Sequence, residues 1–450
     1  MEDSSAESVM ELDPPQLIVL EADFVKQIVL PPPFQLQVTS GSAEILGVEL
    51  LPGVTYDFPL NARVDKVILT SFTGGTVMLT HEKGRQKFQQ KLQSSTGDPM
   101  TSDPFHGNVA CIHSLLRDAR LNLRTKRGPR VMIIGPMNSG KTTCWRTLAN
   151  YANLDGYCPV VVDLDPGQQG ISMPGVLSSA VQASPNNVFL HASNPCRLAR
   201  LDISFGRVSI QDDIPLYLDQ IWQLKAHTDI TVDRLHLAES GIIINTAGWI
   251  VDEGLSCLRH IAEVFAVDFM VCLESQSLYK DFLSFAKTLP SNPEVIFVRK
   301  PVGMKPRDQA EARDYRASLI RDAFFSDDAA LTKCVTLGLQ DLIFYRLSSF
   351  HRIIASNGND VAVSNEILRP QEFMLNRLLY ISGSSHVQED LRKWPIRGYA
   401  VLLGFNREKN EAYLATTLTL ASLTGYVILL YTDIDATGPG GLPFHEFVAD

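Results

Sequence analysis

The sequence predicts an α/β protein in which a central parallel-sheet domain is flanked by a small N-terminal β domain and a C-terminal mixed, β-rich domain. Three observations predict it. Between about residues 106 and 330, apolar runs ending in polar or glycine residues ("VMIIG", "PVVVDLD", "GIIINTAG", "DFMVCLES", "EVIFV") alternate with helical stretches, the pattern of buried parallel strands with crossover helices. On either side the runs are shorter and alternate with polar residues, as half-buried strands do. At 450 residues the chain is also too long for one ordinary core. The boundaries that follow are a tail over 1–15, a β domain over 16–105, the α/β domain over 106–330 and a β-rich domain over 331–450.

Taken in order, "MEDSSAESVMELDPP" is acidic and lacks a basic-then-apolar leader, so it reads as a disordered tail without a secretory signal. In "FQLQVTSGSAEILGVEL", Phe34, Leu36 and Val38 alternate with polar residues before Ser-Gly-Ser turns the chain. "VDKVILTSFTGGTVMLTH" repeats the scheme around Gly74 and Gly75, which together indicate a small sandwich or barrel. "LQSSTGDPMTSDPFHG", from Leu92, is polar and turn-rich and forms a linker. After the α/β region come "CVTLGL", "DLIFYRL", "YAVLLGF", "AYLATTL" and "YVILLYTDI", with "SNGNDVAVSNEILRPQ" from Ser356 breaking them as a loop.

Composition narrows the function. Apolar content of 45% and charge of 20% are those of a soluble globular protein, and "GYVILLY" is far short of a membrane span, so no membrane partner is expected. Seven scattered cysteines without a CxxC pair exclude a zinc site or disulfide framework and fit a reducing compartment. A net charge of −10 excludes the whole surface as a nucleic-acid footprint, though not a local basic groove. The densest positive stretch, "RDARLNLRTKRGPR", reads by itself as a solvated helix face.

One motif carries chemistry. Gly135-Pro-Met-Asn-Ser-Gly140-Lys141-Thr142 fits GxxxxGK[ST] between a strand and a helix, the context the motif requires. Glycines let backbone N–H groups turn around phosphate oxygens, and the helix start adds positive potential. Gly135, Asn138, Ser139, Gly140, Lys141, Thr142 and Thr143 are therefore the candidate triphosphate contacts, with Lys141 on the β- and γ-phosphates and Thr142 on Mg²⁺. The central domain is thus a P-loop domain. "VVVDLDPGQQG" places Asp163 and Asp165 at the carboxyl edge of a strand, where open α/β sheets bind ligands. One carboxylate suits a magnesium-bound water and the other a proton from an attacking hydroxyl; as caps after a strand they are equally well explained. "GIIINTAGW" resembles the DTAG end of GTPases with Asn245 in place of the aspartate, and "IFVRKPVG" stands where a guanine-reading NKxD would be, so ATP is the expected nucleotide.

The succession "RGPRVMIIGPMNSGKTT", "VVVDLDPGQQGISMPG" and "IINTAGW" resembles the polynucleotide 5′-hydroxyl kinase family, in particular the subunit shared by mRNA cleavage/polyadenylation factors and the tRNA-splicing machinery. "SGSAEILGVELLPGVTYDF" and "GYAVLLGFNREKNEAYLATT" resemble its flanking domains. The resemblance implies that Asp165 is the general base for an RNA 5′-hydroxyl, with Asp163 beside it at the metal, and that Trp249 stacks on the terminal base. It implies RNA contacts at Ser193 and Asn194 in "HASNPCR", and adenine contacts at Asp23 and Arg63. In "KPVGMKPRDQAEARDYR" it implies a lid with Arg307 over the phosphates; the next arginine of the family pattern falls on Ala312, with Arg313 adjacent. A one-place slip on a helix turns a side chain by about 100°.

The resemblance further implies RNA 5′ ends as substrate, a scaffold subunit of the cleavage factor as partner, the tRNA-splicing endonuclease as a further one, and a nuclear location. Two readings stand: ATP-dependent phosphorylation of RNA 5′-hydroxyls, or an inactive ATP-binding scaffold. A GTPase is a weaker third.

Overall fold

The computed structural model describes residues 15–20, 24–28, 34–58, 67–81, 104–122, 127–184, 197–301, 308–325, 333–354, 360–384, 386, 389–423 and 425–437. The tail assigned to 1–15 thus lies, but for its last residue, outside the described residues.

The N-terminal β domain is a sandwich. β1 (Gln16–Leu20), β3 (Phe34–Gly41), β6 (Thr55–Phe58) and β8 (Gly75–His81) form an antiparallel sheet in the order β1-β8-β3-β6. β2 (Phe24–Ile28), β4 (Glu44–Ile45), β5 (Val48–Glu49) and β7 (Val67–Ser71) form a second, β2-β7-β4-β5. The predicted alternation at Phe34, Leu36 and Val38 is the buried face, closing on Ile18, Leu79, Ile45 and Leu69 from both sheets.

The central domain comprises α1 (Pro104–Leu121), β9 (Arg130–Ile134), α2 (Lys141–Leu154), β10 (Val160–Asp163), β11 (Val176–Gln182), β12 (Arg197–Ser204), α3 (Ile214–Arg234), β13 (Ile242–Asn245), α4 (Glu253–Val264), β14 (Phe269–Leu273), α5 (Gln276–Ala286), β15 (Glu294–Val298) and α6 (Gln309–Phe325). Its sheet runs β12-β11-β10-β13-β9-β14-β15, parallel from β10 to β15, with β11 and β12 added antiparallel. The uninterrupted apolar runs are explained by burial on both faces. In β9, Val131 and Ile133 pack with Phe105 of α1 and Trp145 and Leu148 of α2, whereas Met132 and Ile134 pack with Ile221 of α3 and Leu258 of α4.

β16 (Lys333–Gly338), β17 (Leu342–Ile354), β18 (Asp360–Leu368), β19 (Arg377–Ser382), β20 (Ile396–Asn406), β21 (Glu411–Thr416) and β22 (Val427–Asp435) form the C-terminal sheet, β16-β21-β20-β19-β22-β17-β18, antiparallel except between β17 and β22. The segment read as a loop from Ser356 instead supplies β18, an edge strand paired with β17. One face of this sheet, with Tyr345, Leu378, Tyr380, Tyr399 and Leu430, joins Met173, Val176 and Phe205 in a single apolar core shared with the central domain.

Three arginines of the basic stretch before the P-loop are internal anchors rather than part of a solvated helix face, whereas Arg117 is exposed as that reading expects. Arg120 is buried, donates to the Ser240 carbonyl at 3.1 Å and stacks over Tyr157. Arg127 grips both oxygens of Asp268 at 2.6 and 3.1 Å, and Arg130 donates to the Phe265 carbonyl at 2.8 Å.

The sandwich docks on α2. Asn150 Nδ2 donates to the Leu46 carbonyl at 2.8 Å and the Tyr151 hydroxyl donates to Glu44 Oε1 at 2.7 Å. Burial pushes the Glu44 carboxyl up from 4.5 to about 6 against the pull of that hydroxyl, with Glu49 adding to the rise. A folded-state pKa above the unfolded one makes the ionised form a penalty: absent below about pH 4.5, growing up to about 6 and complete above it. Glu44→Gln is therefore expected to stabilise the protein at pH ~7.5 by on the order of 1 kcal/mol and to leave it unchanged near pH 4, measured by denaturant unfolding at both.

Candidate functional site

The carboxyl ends of β9, β10 and β13 converge, and the loops leaving them form the site. The first is the P-loop. Asn138 and Gly140 have φ of +58° and +95°, so the chain between β9 and α2 curls and turns successive N–H groups inward. A side chain at Gly140 would also meet Pro301 Cδ at 2.9 Å. Lys141, the first residue of α2, is buried, and its ammonium donates to the carbonyls of Gly135 at 2.9 Å and Pro136 at 2.7 Å. Ser139 is buried and its hydroxyl has no hydrogen-bond partner among the described residues. Thr142 and Thr143 are half-buried in the first turn of α2. A curled run of N–H groups, an orphan hydroxyl and an ammonium bound only to exchangeable carbonyls fit a triphosphate.

The second loop carries the carboxylates. Asp163 is fully buried at the end of β10 beside Asn245, its register partner on β13. Its Oδ1 accepts from Asn245 Nδ2 at 2.9 Å and from the Asp165 amide at 3.1 Å, and its Oδ2 accepts from the Gly170 amide at 2.6 Å. Burial and then the neighbouring Asp165 push its carboxyl up to about 6 despite these donors. Asp165 is half-buried; its Oδ1 accepts from the amides of Gly167 at 2.9 Å and Gln168 at 3.0 Å. Its Oδ2 has no hydrogen-bond partner among the described residues. Burial raises its pKa, and the Lys141 ammonium opposes that rise.

The third loop is "NTAGW". The Thr246 hydroxyl donates to the Ile133 carbonyl at 2.8 Å, tying this loop to the P-loop strand. Trp249 is half-buried, with its indole against the first turn of α4; a side chain at Gly254 would meet ring atoms at 2.6 Å. It packs against the core of the central domain and keeps partial exposure, which a base-stacking platform requires.

Over the carboxylate loop lies α6. The Tyr315 hydroxyl donates to the Gln169 carbonyl at 2.7 Å, and Arg316 donates to the Gly167 carbonyl at 3.4 Å while its charge acts on Asp165. Arg313 stands exposed one turn earlier, its Nε on the Gln309 carbonyl at 3.4 Å. No motif legible in the sequence singles out Arg316; its one signal there is the three-place spacing from Arg313, which puts both on one helix face. Asp23, Arg63, Ser193, Asn194 and Arg307 lie outside the described residues. Among the described residues no three His, Cys, Asp or Glu side chains are grouped to hold a metal ion. A magnesium ion at Thr142 would thus take most of its ligands from phosphates and water, as Mg²⁺ does in nucleotide sites.

A P-loop, two carboxylates on the adjoining strand end and cations on both sides make an α/β P-loop protein whose site suits a nucleotide. Residues 135–326 match the family model described as the P-loop of the mRNA cleavage and polyadenylation factor CLP1. The resemblance to polynucleotide 5′-hydroxyl kinases holds beyond that segment. Protein CLP1 homolog of Brugia malayi is 26% identical over 388 residues, 84% of this chain and 86% of that one. Polyribonucleotide 5′-hydroxyl-kinase Clp1 of Homo sapiens is 27% identical over 386 residues, 83% and 85% of the two chains. The structure of wild-type Clp1p in its complex with Pcf11p has the same fold, with a TM-score of 0.75 at 21% identity over 95% of this chain and 99% of that one.

Burial pushes the Lys141 ammonium down to about 8, against the attraction of Asp165 and then Asp163. A triphosphate needs the charged form, so above that pH its binding must be accompanied by proton uptake. The dissociation constant for a fluorescent ATP analogue is expected to rise about tenfold per pH unit above ~8, and to be weak and flat with pH in Lys141→Met.

Proposed function

We propose that the protein transfers the γ-phosphoryl group of ATP to the 5′-hydroxyl of RNA, as a nuclear subunit of the machinery that cleaves and polyadenylates pre-mRNA. The observation that carries this reading is Asp165: held through one oxygen, with the other uncommitted among the described residues, across from Lys141. A carboxylate whose pKa is raised while its orientation is fixed is suited to take a proton from an attacking hydroxyl. Asp165 takes the 5′-hydroxyl proton as the oxygen attacks the γ-phosphorus, whose bond to the β–γ bridging oxygen breaks to release ADP; Lys141 and the P-loop amides hold the transferred group and the charge that gathers on it. Magnesium, when bound, neutralises the β- and γ-phosphates. Thr142 would ligate it, and Asp163, with three of roughly four acceptor positions filled, would reach it through water. Trp249, half-buried, would stack on the terminal base without regard to sequence.

Asn245 and the absence of NKxD favour ATP over GTP. The kinase name of the human relative supports the reaction, and the Clp1p–Pcf11p complex supports a cleavage-factor scaffold as partner. The tRNA-splicing endonuclease as a further partner rests on the family resemblance. The scaffold reading is favoured by one feature, the exposure of Arg313 next to Ala312.

With γ-labelled ATP and a 5′-hydroxyl RNA oligonucleotide, label is expected on the RNA. Lys141→Ala and Asp165→Asn should each lower the rate by at least about a hundredfold. Trp249→Ala should raise KM for RNA by roughly tenfold, the equivalent of one stacked base. No transfer by the wild type, with ATP still bound, would establish the scaffold instead.

A further inference from the structure

Residues 164–175, between β10 and β11, carry Asp165, and their far half is held by the C-terminal domain. Ser172 Oγ donates to Asp202 Oδ2 at 2.8 Å and lies 2.7 Å from the Tyr399 hydroxyl. The Tyr399 hydroxyl is itself 2.6 Å from the same Asp202 oxygen. Asp202 is buried, and the Ser178 hydroxyl at 2.7 Å and Arg200 at 3.0 Å complete its shell. Two residues beyond Ser172, the Tyr380 hydroxyl donates to the Pro174 carbonyl. Tyr380 and Tyr399 face each other across the β19–β20 pair, edge to face at 5.7 Å, and both are buried.

These anchors reach Asp165 in two steps. Gly175, which follows Pro174, donates its amide to the Pro166 carbonyl at 2.8 Å, and Pro166 follows Asp165 directly. Gln169 Nε2 bridges the carbonyls of Asp163 at 3.2 Å and Val176 at 2.7 Å, so both ends of the loop move together. Gly175 has φ of +79°, and a side chain there would collide with the Tyr380 hydroxyl and Ile434. The loop thus closes on itself at Asp165 and is pinned from outside by two tyrosines.

We infer that the C-terminal domain is a positioning element of the transfer site: Tyr399 and Tyr380, through Ser172 and Pro174, set the loop conformation that aims Asp165. Neither tyrosine touches the reacting groups. Their hydroxyls are placed so that a shift of the C-terminal sheet moves the carboxylate, and a misplacement of about 1 Å at a reacting group is enough to slow a reaction by orders of magnitude. The kinetic consequence rests on the phosphotransfer reading; the structural one does not.

Tyr399→Phe and Tyr380→Phe keep the rings and remove the hydroxyls. In each, kcat for RNA phosphorylation is expected to fall by about tenfold or more while KM for ATP changes less than about twofold, since the P-loop is untouched. In the same proteins, without substrate, the amides of Gly167, Gln168 and Gly175 should exchange hydrogen about tenfold faster, with β9 and α2 unchanged. Unaltered exchange in both variants, or an unaltered kcat in an active enzyme, overturns the inference. A wild type that transfers no phosphate, with faster loop exchange in the variants, overturns the phosphotransfer reading and leaves the loop assignment intact.

Discussion

A carboxylate shut away from bulk solvent must be answered by donors from the protein, and the buried Asp163 imposes that condition on the whole site. Its donors come from three places: the side chain of Asn245 on the neighbouring strand, the amide of Asp165 two residues on, and the amide of Gly170. Meeting it curls the chain after β10 and leaves Asp165 where the strand ends open. It also accounts for Asn245. An aspartate there, as in the GTPase pattern, would set a second carboxylate 2.9 Å from the first in place of a donor. The departure from DTAG is what permits Asp163 to be buried.

The charges around this point are balanced across a short distance. Lys141 is drawn by Asp165 and Asp163, while Asp165 is drawn by Lys141 and Arg316. Burial works against every member, lowering Lys141 and raising both aspartates. Such a set holds opposite charges ready without satisfying them, because the ammonium's hydrogen bonds go to carbonyls rather than to the carboxylates. Phosphate oxygens can replace the carbonyls at little cost in reorganisation, the condition for electrostatic stabilisation of a transferred group.

The central sheet was legible because strands buried on both faces leave continuous apolar runs, and all five runs picked out became β9, β10, β13, β14 and β15. Asp163 and Asp165 were legible for the same reason: they end such a run. β11 was not, since "VLSSAVQ" is wholly buried yet carries Ser178 and Ser179, whose hydroxyls are satisfied by Asp202 and Thr228. β18 was hidden by its polar residues, which an edge strand tolerates. Arg120, Arg127 and Arg130 looked like a solvated run because their partners, Ser240, Asp268 and Phe265, are more than a hundred residues away. Arg316 escaped for want of a fixed helix phase: only the contacts of Tyr315 and Arg316 with residues 167–169 show which face of α6 looks inward.

The flanking domains gain a role from where they attach. The sandwich grips Asn150 and Tyr151 on α2, the helix whose first residue is Lys141. The C-terminal sheet grips Ser172 and Pro174 on the loop that carries Asp165. The phosphate side and the carboxylate side of the site are therefore braced from opposite ends of the chain, with the paired strands β9, β13 and β10 between them. The ammonium and the carboxylate are thus each tied to a different flanking domain through a short run of chain. On the proposed phosphotransfer reading, each flanking domain therefore has a mechanical route to the chemistry.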